Sequence, residues 1–72
     1  MDNKMFLQVW GSELRRVREA AGLSQQELAK ELGTTQKQVS RLENGGNMNL
    51  LTIFRWYGVC QATVPIPDFA RD

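Results

Sequence analysis

Apolar positions recur at helical spacing in four stretches of this chain, and caps or glycines stand between them. Trp10, Leu14, Val17 and Ala21 share one face of a first helix, expected from Phe6 or Leu7 to Ala21 and closed by Gly22. Leu28, Ala29 and Leu32 make the stripe of a second. It starts at Ser24, because Ser24 and Glu27 have the spacing of a capping box and Leu23 with Leu28 that of a hydrophobic staple. Gly33 stops this helix. Thr35 with Gln38 repeats the box pattern, so a third helix follows, burying Val39 and Leu42. Gly45, Gly46 and Asn47 form a loop, after which Asn49 caps a fourth helix from Leu50 to Tyr57. Its expected core stripe is Leu50, Ile53, Phe54 and Tyr57. Leu51 and Trp56 lie off that stripe and either fill the edge of the core or mark a partner surface.

The two ends differ in character. Met1 to Lys4 are expected to be loose. After Gly58, the β-branched run from Val59 to Val64, ended by Pro65 and Pro67, reads as a strand. A lone strand cannot satisfy its own backbone groups, so its expected partner is the same strand of a second subunit. That makes Val59, Cys60, Gln61, Ala62, Thr63 and Val64 candidate dimerisation residues, with Asp68 to Asp72 a flexible tail.

Only Gly33 and Thr34 separate the second and third helices. So short a connection makes them cross steeply, with a small residue, Ala29, at the contact and a permissive one, Gly33, at the turn. Opposite Val39 and Leu42, the third helix turns Lys37, Ser40, Arg41 and Asn44 outward, with Gln36 on its exposed first turn. That face is polar throughout. Standing alone, it would suit a solvated helix surface equally well.

Caps, small residues, turn and the ending Leu42-Glu43-Asn44-Gly45 together resemble the helix-turn-helix of the Xre or phage-repressor family, over roughly residues 11 to 58. Thr34 departs from it, standing where the family usually carries an apolar residue. The resemblance implies an all-α, compact four-helix domain, lambda-repressor-like, whose third helix enters the DNA major groove. Gln36, Lys37, Gln38, Ser40 and Arg41 then carry the reading of bases, glutamine suiting adenine and the cations suiting guanine. Asn44 belongs to the same DNA-facing set. Gln38 is also placed to serve the cap at Thr35. Gln25 matches the family's phosphate-contacting glutamine, on a helix start where backbone N–H groups are free. Arg18, four residues before Gly22, matches the family's arginine that pairs with the glutamate here numbered Glu43, an architectural ion pair.

Composition adjusts this picture in a few places. Seventy-two residues allow one domain, 1–72, with a core over 6–58 small enough that a second subunit would help it. A formal net charge of +1 is weak for a nucleic-acid binder. Local placement matters more: Arg15, Arg16 and Arg18 cluster before the motif, and Lys37 and Arg41 share the outward face. There is no histidine and a single cysteine, Cys60, which reads as an apolar filler. No cofactor or metal is expected, and no enzyme chemistry. No signal peptide or membrane span is recognised, so the expected location is cytoplasmic.

The expected function is a dimeric, sequence-specific repressor binding double-stranded DNA at a palindromic operator. A helix-turn-helix followed by a short strand is similar to the Hip-type antitoxins, which implies autoregulation of a toxin-antitoxin operon and a toxin protein as partner. The alternatives are a prophage or restriction-system regulator without a toxin, and a module that binds protein rather than DNA.

Overall fold

The computed structural model of the chain describes residues 3–61. Four helices follow one another: α1 (Asn3–Ala20), α2 (Gln25–Leu32), α3 (Gln36–Glu43) and α4 (Leu50–Cys60). Leu14, Val17, Leu28, Ala29, Leu32, Val39, Leu42, Trp56 and Tyr57 form the core, to which each helix contributes. Trp10, Leu23, Met48, Ile53, Val59 and Cys60 pack against it from the edge.

The ends of the helices follow the chemistry of their caps. Ser24 Oγ accepts from the Glu27 N–H at 3.0 Å, and the Glu27 carboxylate accepts from the Ser24 N–H at 2.8 Å, completing the box that starts α2. The Ser24 N–H, and after it the Ser24 hydroxyl, hold the Glu27 carboxyl below the usual carboxylate range. At α3 the box is half built. Thr35 Oγ1 accepts from the Gln38 N–H, but the Gln38 side chain turns to Arg41 instead of reaching back. Gly33 closes α2 with φ of 72°, a left-handed conformation that costs a glycine little, and the Thr34 N–H then donates to the Ala29 carbonyl at 2.9 Å. Thr34 does not disturb that turn. Gly22 and Gly45 end α1 and α3 with the same bond pattern.

Several expectations need correction. Asn3 and Lys4 are helical, so α1 starts before Phe6, and Ala21 is exposed beyond its end. On α4 the buried face is centred on Trp56 and Tyr57, while Leu50, Leu51 and Phe54 remain 65%, 67% and 43% exposed. A helix apolar on most of its circumference offers two stripes of equal period. The one that wins here places the Trp56 indole N–H on the Leu14 carbonyl at 3.0 Å, giving a buried donor its acceptor. The strand expected from Val59 does not form there: Val59 and Cys60 are the last residues of α4, and Gln61 caps it in the left-handed conformation. Cys60 continues the row Ile53, Trp56 onto the core, and that burial outweighs the weak β preference of the sequence. Ala62, Thr63 and Val64, like the expected tail, lie outside the described residues.

Helix α1 crosses the C-terminal end of α3 at Gly11. A Cβ there would come within 2.6 Å of the Glu43 carbonyl oxygen and 2.8 Å of that of Leu42. Both obstacles are backbone and cannot swing aside. Gly11→Ala should therefore destabilise the domain by about 1–3 kcal/mol despite alanine's better helix propensity. Thermal melts check this, and an unchanged or raised midpoint would mean that the helices separate freely.

Candidate nucleic-acid interface

An ion pair beneath the second and third helices organises the site. Arg18 and Glu43 are each 8% exposed, and their side chains meet through Nε to Oε2 at 2.6 Å and Nη2 to Oε1 at 3.2 Å. The remaining Nη1 donates to the Leu23 carbonyl at 2.7 Å, tying the pair to the loop before α2. The fork of the guanidinium is thus satisfied on both sides, and the hydrogen bond to Glu43 raises its pKa further. The pairing inferred for these residues is present as an architectural contact.

From this pair a chain of amides runs outward. Gln25 Nε2 donates to Glu43 Oε1 at 3.0 Å, and Gln25 Oε1 accepts from Gln36 Nε2 at 3.4 Å. A half-buried glutamine on the first turn of α2 thereby joins the buried carboxylate to the exposed first turn of α3. The residues alone did not show this link. Its only trace in the sequence is that Gln25 and Gln36 hold the first helical position of successive capped helices.

The other residues expected on this face divide in two. Lys37 and Arg41 are exposed on α3, and Arg41 Nε donates to Gln38 Oε1 at 3.1 Å. Gln38 is half-buried and engaged with Arg41 rather than with the cap. Asn44, placed with the DNA-facing set, turns back on its own helix, its Nδ2 donating to the Ser40 carbonyl at 2.7 Å. Ser40 is half-buried beside it. Gln36, Lys37 and Arg41 stay exposed on this face, Gln36 donating to Gln25 and Arg41 to Gln38.

Electrostatics are narrower than the arginine count suggests. Arg15 pairs with Glu19 and Arg16 with Glu13, and Arg18 is taken by Glu43, so each member of the expected basic cluster on α1 is neutralised locally. Glu13 is held below the usual carboxylate range by its bond to Arg16. Arg55 donates to the Leu32 carbonyl at 2.7 Å and closes the C-terminal end of α2. Lys37 and Arg41 make no ion pair among the described residues and give the outward face of α3 two exposed cations. Cys60 packs at the edge of the core. Burial pushes its thiol up, away from the thiolate that would react. Among the described residues, no group of three Cys, Asp or Glu side chains could hold a metal ion, and no helix is long and apolar enough to cross a membrane.

Two capped helices meeting at a two-residue turn, with a polar face outward on the second, define a DNA-binding class of domain. The sequence profile of the helix-turn-helix family matches residues 14–56, more than half of the chain. The chain belongs to this family of DNA-binding transcription regulators. A comparison with curated proteins finds no match.

Removing one partner of the ion pair leaves a buried charge uncompensated. Arg18→Met and Glu43→Leu should each cost about 3–5 kcal/mol, and the double variant much less than their sum. Thermal melts of the three variants read this directly, and small additive losses would place the pair in effect at the surface.

Proposed function

We propose that this chain is a sequence-specific repressor that binds double-stranded DNA as a homodimer at a palindromic operator in the cytoplasm, and that it is a binding protein without catalytic activity. The observation that carries the reading is the connection of Glu43 through Gln25 to Gln36. It holds one polar side chain at each of two helix starts in a set orientation, which is what a surface needs to discriminate bases without ordering side chains on contact. Gln36 and Arg41 then read base edges, Lys37 adds a base or phosphate contact, and Gln25 steadies Gln36 and meets the backbone. Gln38 supports Arg41, while Ser40 and Asn44 finish the helix beside them.

A role as the antitoxin of a Hip-type operon is a narrower form of the same proposal. Its support in the sequence was a strand beginning at Val59, and the helical Val59 and Cys60 remove that part of it. A regulator with no toxin partner needs nothing beyond the site described. Recovery of one dominant protein partner that survives Lys37→Ala with Arg41→Ala would favour the antitoxin.

Selection of bound sequences from random duplexes, followed by titration of variants, tests the DNA reading. Gln36→Ala and Arg41→Ala should lower affinity for the selected site by about 1–3 kcal/mol each, with scrambled DNA little affected by Gln36→Ala and losing less than the selected site on Arg41→Ala, which also removes a charge. Lys37→Ala should weaken both and flatten the salt dependence. Equal losses on selected and scrambled duplexes for Gln36→Ala and Arg41→Ala would exclude their role in reading bases.

A further inference from the structure

Helix α3 is held closely at its end and more loosely along one side. The ion pair of Arg18 with Glu43 and the close approach at Gly11 fix its C-terminal end against α1. Its main packing partners are α1 and α2, and those of α4 are the same two helices. Between α3 and α4 a groove of about 260 Å³ opens instead, bordered by Gln38, Val39 and Leu42 on one side and by Thr52 and Arg55 on the other. Open space offers little resistance to a swing of α3 about its fixed end.

One bond crosses from α4 to the backbone at the head of this groove. Arg55 Nη2 donates to the carbonyl of Leu32, the last residue of α2, at 2.7 Å. The Gly33 and Thr34 N–H groups serve the Lys30 and Ala29 carbonyls, so the Leu32 carbonyl, at the negative end of the helix, is left to a side chain. A guanidinium supplies both the donor and the opposite charge. Arg55 is exposed, so its contribution is this tie rather than filling of the core. After Leu32 only Gly33 and Thr34 remain before Thr35 caps α3. Whatever holds Leu32 therefore holds the start of α3.

We infer that Arg55 is a positioning residue for the reading of bases: by fixing Leu32 it sets where α3 begins, and it acts through Gln36 and Arg41 rather than by touching DNA. Gln36 and Gln38 stand on opposite edges of α3. One edge is tied to Gln25, and the other borders the groove and carries Arg41 through its bond to Gln38 Oε1. A swing across the groove moves both edges together. Binding surfaces tolerate displacements of only about 0.5 Å, so a small drift at the turn is felt at every base contact.

This inference rests on the DNA reading, and the experiment separates the two by following the free chain as well as the complex. Amide hydrogen exchange is measured on the free protein. Selected and scrambled duplexes are then titrated over a range of salt, where circular dichroism shows each variant folded. In Arg55→Ala, exchange at Thr34 and Gln38 should rise at least roughly fivefold while that of Leu14 and Val17 stays unchanged. Affinity for the selected duplex should fall at least roughly fivefold and that for the scrambled duplex less than about twofold, with the same salt slope. Arg55→Lys keeps the charge and one donor and should fall between, which also serves if Arg55→Ala melts too low to assay. On an Arg41→Ala background the further loss from Arg55→Ala should shrink, as it does for residues that act through one another. Exchange that rises everywhere alike, or affinity that does not change, would overturn the positioning role. Equal losses on both duplexes with a salt slope reduced by about one would overturn it in favour of a phosphate contact. An unaltered chain that selects no sequence would overturn the DNA reading and with it this role, while faster exchange at Thr34 and Gln38 in Arg55→Ala would still show the tie at the turn.

Discussion

One buried ion pair sets the geometry on which the rest depends. Arg18 comes from the end of α1 and Glu43 from the end of α3, 25 residues apart, so their meeting fixes how the first helix lies across the third. A pair of this kind adds little net stability, since removing two charges from water costs nearly as much as their attraction returns. Its effect is on specificity of structure. Arrangements that misalign α1 and α3 bury a charge without its partner, and Gly11 permits the one close approach in which they meet. The same carboxylate then accepts from Gln25, so the pair that aligns the core also orients the surface.

Local signals in the chain were legible where one residue decides one hydrogen bond. Ser24, Thr35 and Asn49 cap the helices they were expected to cap, and Gly22 and Gly33 end them. Arg18 and Glu43 were found through family resemblance, because nothing local to either residue points to the other. Illegible features were those decided by the whole assembly. Which of two apolar stripes on α4 faces inward depends on where α1 presents an acceptor, the Leu14 carbonyl, to Trp56. Whether Val59 and Cys60 extend as a strand or complete a helix depends on the core waiting beneath them. For the site, the polar face of α3 was clear from the spacing of Val39 and Leu42. Its internal division was not, because Gln38, Ser40 and Asn44 are occupied by neighbours one helical turn away.

Charge is arranged with economy. A net charge of +1 would steer a protein only weakly toward DNA, and pairing on α1 removes three arginines from that task. Long-range attraction is thus small, and on the outward face of α3 it comes from Lys37 and Arg41. A protein built this way should owe less of its binding to sequence-independent attraction and more to contacts that depend on base identity. Two copies on one duplex would add those contacts together.

The amide chain from Glu43 to Gln36 also shapes how such a regulator can change over generations. Lys37 and Arg41 stand clear of the core, so substitutions there alter what is read without drawing on the small reserve of stability a domain of this size holds. Gln36 is tethered through Gln25 to the buried carboxylate, so altering it disturbs the support as well as the reader. Drift in operator preference is consequently uneven along the helix: inexpensive at its middle and constrained at its start, so that descendants of this chain would diverge first in the bases facing 37 and 41.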